Sequence, residues 1–93
     1  MIHFVVHSHN DSTGVAVVEG IQAGQALTGW VMDTDATINL TVGDAIPIGH
    51  KLALNDIAEG DTVIKYGHDI GRAVASIKRG QHLHVHNVKT KRW

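Results

Sequence analysis

Short apolar segments separated by glycine-containing turns constrain the fold of this chain more than any other feature of its sequence. In residues 2–7, the apolar side chains Ile2, Phe4 and Val6 alternate with their neighbours, which is the two-residue period of a β-strand. Val, Ile and Thr, which favour strands, account for 27 of the 93 residues. Further strands are predicted at 14–19, 27–32, 37–42, 62–66, 70–76 and 82–88, with an extended segment at 46–54. Because no long segment has a helical period, the sequence predicts a mostly β fold of short strands.

The connections between these segments complete the predicted organisation. Residues 33–36 carry Asp and Thr side chains typical of a turn, and we expect the first 42 residues to form a meander. In the turn at 55–61 we expect one helical turn capped by Asn55. No internal repeat is apparent, and the length predicts one domain over residues 1–93.

Composition and missing motifs exclude several classes of protein. The chain has no cysteine, which excludes a disulfide framework, a thiolate metal site and a cysteine nucleophile. No apolar run approaches the ~20 residues of a membrane-spanning helix. The first residues lack the features of a secretory signal, so we expect a cytoplasmic protein that does not contact a membrane. The glycine-rich motifs of nucleotide-binding proteins are absent too.

Charge is distributed unevenly along the chain. Residues 1–71 contain nine acidic residues and two lysines, whereas residues 72–93 contain six basic residues and no acidic one. The basic segment is either a solvated end or a positive surface for an anionic substrate or an acidic partner. The near-neutral overall charge and the single aromatic residue of this segment, Trp93, argue against nucleic acid.

Three of the eight histidines alternate with apolar residues near the end of the sequence. On a strand, His82, His84 and His86 would lie on one face with neighbouring side chains roughly 6.6 Å apart. Such a row can bind a metal, or it can bind an anion and transfer protons near neutral pH. It can equally be the polar face of a half-buried strand, and the spacing leaves all three interpretations open.

Three further residues are candidates because of their neighbours. His50 follows Gly49, and a glycine lets a ligand approach the backbone, although a surface histidine beside a turn fits equally well. Lys65, within an apolar run, is either a desolvated base or anion anchor, or a lysine that points to water. Tyr66 either donates a hydrogen bond to a ligand or fills the edge of the core.

Three segments together carry a family resemblance: residues 46–54 read IPIGHKLAL, residues 60–67 read GDTVIKYG and residues 84–87 read HVHN. In this order they resemble the small SAF-type domain of the altronate/galactarate dehydratase family. With the glycine-rich first half, the resemblance covers nearly the whole chain. It implies a SAF-type β-clip fold.

The resemblance also implies a lyase that acts on an anionic 2-hydroxy acid. A base removes the proton α to the carboxylate and a β-leaving group departs, while a divalent metal, usually Fe²⁺, supports the enediolate. The ligands of that metal need not lie in this chain. The sequence ends soon after Asn87, which resembles the form in which a small subunit works with a large catalytic (beta) subunit. Residues 27–33 and 89–93 favour members that remove sulfite from sulfolactate over those that remove water from a sugar acid.

The shared segments indicate which residues are expected at the site. The expected catalytic residues are His50, His84 and His86, the expected substrate-binding residues are Lys65, Tyr66 and Asn87, and the expected metal ligands are His84 and His86. His82 lies outside the shared motif and ranks below His84 and His86.

Other functions stay open at this point. The chain can be the small subunit of an altronate- or galactarate-type sugar-acid dehydratase, a non-catalytic SAF-type binding module, or a purely structural subunit. Short strands with exposed edges predict association in each case, with a large subunit or with copies of the same chain when isolated.

Overall fold

The computed structural model describes residues 1–65, 68–84 and 87–89, apart from the side chains of Lys65, His68, Asp69 and Lys89. Within these residues the chain forms nine strands and no helix, so the predicted mostly β class is confirmed. The strands are β1 (Phe4–Val6), β2 (Thr13–Ala16), β3 (Ala26–Val31), β4 (Ala36–Thr41), β5 (Lys51–Ala53), β6 (Thr62–Lys65), β7 (His68–Ala73), β8 (His82–Leu83) and β9 (Val88–Lys89). The described part of the chain accordingly offers no helix that could cross a membrane.

The strands of the described residues form two sheets. The first has the order β4-β3-β1-β2-β5-β8 and the second the order β6-β7-β9. Strand β1 pairs antiparallel with β2, where Phe4 lies opposite Ala16, and parallel with β3, where Phe4 lies opposite Gly29. The predicted meander is therefore wrong, because β2 and β3 flank β1 and a parallel partner requires a crossover connection.

Two clusters of buried apolar side chains lie on opposite faces of β5. Leu52 belongs to the cluster around Phe4, whereas its neighbour Ala53 belongs to the cluster that includes Leu83. Adjacent residues of a strand point to opposite faces, so this short strand joins both clusters. In the first cluster, the Phe4 ring occupies the space that a Cβ atom would need at Gly14 or Gly29. These two glycines are required by close packing.

The described residues contain four turns with the pattern Ile-x-x-Gly-x, which we call the Ile-Gly turns. They span residues 21–25, 46–50, 57–61 and 77–81. In each, the fifth residue donates its backbone N–H to the carbonyl of the second at 3.0–3.2 Å, and the glycine has a φ of 82–90°, as a type II turn requires. The buried isoleucines pair across two bridges, Ile21 with Ile46 and Ile57 with Ile77. An internal repeat is therefore present, and the helical turn expected at 55–61 is wrong because an Ile-Gly turn occupies it.

The strand predicted at 82–88 is also wrong in its extent. Strand β8 ends at Leu83, and β9 begins only at Val88. The backbone N–H groups of Asn87 and Val88 both donate to the carbonyl of His84 at 3.1 Å. The chain therefore turns after His84 instead of continuing as one strand.

Candidate functional site

Three histidine side chains lie together beside the β5–β8 pair. Nδ1 of His50 is 2.8 Å from Nε2 of His82. The rings of His50 and His84 are stacked, with centroids 4.2 Å apart and planes at 19°. The His82 ring centroid lies 5.0 Å from that of His50 and 5.8 Å from that of His84. We call His50, His82 and His84 the histidine cluster.

The pairing of β5 with β8 brings the cluster together. Leu52 lies opposite His82 and Lys51 lies opposite Leu83 in an antiparallel register, which, continued by one residue, places His50 opposite His84. Since alternate residues of a strand share a face, His82 and His84 lie on one side while Leu83 enters the core. The predicted alternation thus holds over 82–84. The third histidine of the cluster, His50, precedes His82 by 32 residues in the chain.

Two polar side chains hold the backbone that carries the cluster. Asp44 accepts a hydrogen bond on Oδ2 from the backbone N–H of His82 at 2.9 Å. Asn87 accepts one on Oδ1 from the N–H of His84 at 3.0 Å, and its Nδ2 donates to the carbonyl of His82 at 2.8 Å. Both ends of the Asn87 amide therefore bind the backbone of this segment. The contact between Asn87 and substrate stays a prediction.

The cluster can hold and transfer a proton. A contact of 2.8 Å between two ring nitrogens needs one N–H donor and one unprotonated acceptor, so His50 and His82 share a single proton at this contact. His50 and His82 are half-buried and His84 is exposed, so a solute can reach the cluster from solvent. Imidazole groups in such a setting serve as proton donors and acceptors near neutral pH.

The donor set of the cluster also fits a divalent transition metal. One nitrogen from each ring lies within 4.8 Å of the other two, and imidazole suits zinc, copper, iron and nickel. The nearly parallel rings of His50 and His84 direct their in-plane lone pairs side by side, so at least one ring must rotate to bind a shared ion. His86, the other predicted ligand, lies outside the described residues.

The two remaining candidates are placed less completely. Lys65 is the last residue of β6. The side chain of Lys65 and the whole of Tyr66 lie outside the part of the chain that the structure describes. Their roles therefore stay predictions from the resemblance.

Two members of the basic segment make contacts within the chain. Arg79 donates from Nε to the carbonyl of Leu54 at 3.1 Å and from Nη2 to the carbonyl of Asn39 at 3.2 Å. Lys78 lies 4.0 Å from the carboxylate of Asp56. These two cations thus have contacts inside the fold, whereas Lys91 and Arg92 lie outside the described residues.

The structure places His82 within the cluster, although sequence reasoning ranked it below His84 and His86, and Asp44 was not among the candidates. A usable signal is the repeated turn, because His50 is the fifth residue of one Ile-Gly turn and His82 directly follows another. The turns mark the starts of β5 and β8, which are the two strands that pair beneath the cluster.

Comparison with known proteins places the chain among its relatives. A family model described as the altronate/galactarate dehydratase SAF domain matches residues 2–91. The chain is 67% identical over 92 residues to the (2R)-sulfolactate sulfo-lyase subunit alpha of Chromohalobacter salexigens, covering 99% of this chain and 98% of the relative. It is 51% identical over 63 residues to the subunit of the same name from Paracoccus pantotrophus, covering 68% and 94%.

A more distant relative contains the same domain within a longer chain. The altronate dehydratase of Bacillus subtilis is 38% identical over 82 residues, which cover 88% of this chain but only 15% of that protein. The match to the family model and the 67% identity over nearly the whole chain confirm the resemblance predicted from the three segments. This chain belongs to the SAF-domain family of the altronate/galactarate dehydratases.

Proposed function

We propose that this chain is the small (alpha) subunit of a two-component lyase that eliminates sulfite from (2R)-3-sulfolactate to give pyruvate. The observation that carries the proposal is the 67% identity, over nearly the full length of both chains, to a protein named as the alpha subunit of such a lyase. A subunit of that name implies a partner, and we propose a large catalytic subunit. We further propose that residues 1–93 form one SAF domain.

The reaction defines what the site must provide. The proton α to the carboxylate leaves to a base, and the carbon–sulfur bond breaks with its electron pair on sulfur. The enol product then takes up a proton at carbon and releases its hydroxyl proton to become pyruvate. Negative charge grows on the carboxylate in the transition state and needs fixed positive charge or hydrogen-bond donors nearby. A divalent metal, for which we propose Fe²⁺, supplies this as a Lewis acid when bound.

We propose that the histidine cluster is the face this subunit presents to the substrate. The short contact between His50 and His82 supports a role in holding a proton, and we assign His50 as a proton donor to the reacting groups. The exposure of His84 supports a role in contacting the substrate carboxylate or a metal. Asp44 and Asn87 keep the His82–His84 backbone in place for this purpose.

Reconstitution with a large subunit tests the proposal. The two chains are co-expressed, purified as a complex, and assayed anaerobically with Fe²⁺ for sulfite and pyruvate release from sulfolactate. Equal release of both products with the two chains, and none with either alone, is the expected result. A well-assembled complex that releases no sulfite would contradict the substrate assignment.

Sugar-acid dehydration is the second candidate, because the altronate dehydratase of Bacillus subtilis shares 38% identity with this chain over 82 residues. The same complex is therefore assayed with altronate and galactarate. Dehydration of either, without sulfite release, would support this candidate. A chain that binds no large subunit would instead favour a binding module.

A further inference from the structure

Three of the four Ile-Gly turns are closed by the side chain of their last residue. In these turns, the side chain of the fifth residue accepts a hydrogen bond from the backbone N–H of the second. The bonds join Gln22 N–H to Gln25 Oε1 at 3.1 Å, Ala58 N–H to Asp61 Oδ2 at 3.3 Å, and Lys78 N–H to Gln81 Oε1 at 2.6 Å. The turn therefore normally uses its last side chain as an internal acceptor.

The turn at 46–50 departs from this arrangement at both positions. Its second residue is Pro47, which has no backbone N–H, and its fifth residue is His50. The backbone bond of the turn is retained, because the N–H of His50 donates to the carbonyl of Pro47 at 3.0 Å. Nδ1 of His50 is directed instead to His82, at 2.8 Å.

An imidazole could have closed this turn if a donor were present. The Nδ1 atom of histidine stands two bonds beyond Cβ, as does the Oδ2 atom by which Asp61 closes its own turn. Elsewhere in this chain, the backbone N–H of Thr28 donates to Nδ1 of His3 at 3.0 Å, so an imidazole does accept such a bond in this fold. The chemistry of the acceptor therefore does not prevent closure by His50.

We propose that Pro47 is a positioning residue that keeps His50 available to the histidine cluster by removing the amide hydrogen that would otherwise bind Nδ1. Pro47 is exposed, so burial of its ring does not account for its presence. The inference deepens the proposed function and rests on it, since it concerns the residue assigned there as a proton donor.

The variant Pro47→Ala restores the missing donor and tests the proposal on the full chain. We expect a new scalar coupling across a hydrogen bond, from the amide of residue 47 to Nδ1 of His50, measured by NMR on ¹⁵N-labelled protein. The coupling between Thr28 and His3 serves as the internal reference. Co²⁺, titrated as an optical probe of the cluster, should bind about fivefold more weakly, because one competing hydrogen bond is worth that factor.

A double variant separates the missing donor from the stiffness of the proline ring. Pro47→Ala with Ile48→Pro keeps the restored donor but moves the proline to the third residue of the Ile-Gly turn. That residue is position i+1 of the type II turn, where proline is common. The account predicts that this variant shows the same coupling and the same weak Co²⁺ binding. Recovery of wild-type binding in the double variant would overturn the proposal, because stiffness alone would then explain Pro47.

The results for His50→Ala distinguish this inference from the proposed function. Loss of Co²⁺ binding in His50→Ala, with wild-type binding and no new coupling in Pro47→Ala, would overturn the role of Pro47 alone. Unchanged Co²⁺ binding in His50→Ala would overturn the cluster as a ligand site and this inference with it, whereas the proposed function rests on the 67% identity and is tested by sulfite release.

Discussion

Replacing Asn87 with alanine should destabilise the isolated chain, although resemblance to the family points to Asn87 as a substrate-binding residue. The side chain makes two hydrogen bonds to backbone groups, from the N–H of His84 to Oδ1 and from Nδ2 to the carbonyl of His82. Both bonds join groups of this chain itself. Asn87→Ala removes both, and leaves the half-buried carbonyl of His82 and the exposed amide of His84 without these contacts.

The size of the effect follows from the number of bonds lost. The half-buried bond contributes about 1 kcal/mol net and the exposed bond about 0.5 kcal/mol, so Asn87→Ala should lower the free energy of unfolding by about 1.5 kcal/mol. For a chain of this length that corresponds to a fall in Tm of about 6–12 °C. Asn39→Ala is the matched control, because it removes only one exposed bond, from the Thr28 hydroxyl to Asn39 Oδ1. Its effect should stay within about 0.5 kcal/mol.

Urea denaturation of the isolated chain, followed by tryptophan fluorescence or circular dichroism, measures both variants under the same conditions. A substrate-binding residue with no structural function would give equal stability in Asn87→Ala and wild type. That result would refute the reasoning that Asn87 holds the His82–His84 segment in place.

Two further predictions concern the fold itself. Gly29→Ala places a Cβ atom in steric conflict with the Phe4 ring and should lower the free energy of unfolding, measured by denaturant titration, by about 3 kcal/mol. Gly43→Ala, with open space around it, should change that free energy by less than about 0.5 kcal/mol. Equal values would mean that the Phe4 ring can move aside. The hydrogen bond from the His9 side chain holds the pKa of Asp33 below its usual range. The Asp33 carboxylate therefore stabilises the fold above its unfolded-state pKa, and this stabilisation is lost as pH falls through the lowered folded-state pKa. Asp33→Asn should therefore be less stable than wild type at pH 6, and the difference should shrink in acid as the Asp33 carboxylate becomes protonated. A difference that stays constant on acidification would contradict this assignment.

The strands could be predicted from the sequence because their alternation is a local property. The structure has three strands whose ends lie within one or two residues of the limits predicted at 2–7, 27–32 and 37–42. The parallel pairing of β1 with β3 could not be predicted, since nothing local specifies which side of β1 each neighbour occupies. The prediction of a strand through 88 failed because a side-chain amide, that of Asn87, closes a turn where the apolar pattern still alternates.

The candidate site could be predicted only in part for a similar reason. The family resemblance pointed to His50 and His84 from two shared segments that lie far apart in the sequence. Their proximity depends on the register of β5 with β8, which also brings in His82. The role proposed for Pro47 could not be predicted from the sequence, because the four turns share only their Ile and Gly residues. It follows from comparing the hydrogen bonds of the four turns.

Turnover by the complex reconstituted with altered histidines tests the central claim most directly. Sulfite release from sulfolactate is measured with wild type, His50→Ala and His84→Ala, and with His9→Ala as a control histidine outside the cluster. Loss of the proton donor His50, or of His84, which contacts the substrate carboxylate or a metal, should lower kcat by at least about 100-fold. Assembly should stay intact, and the His9→Ala complex should be unaffected. Fully assembled His50→Ala and His84→Ala complexes that turn over at the wild-type rate would contradict the claim that the histidine cluster faces the substrate.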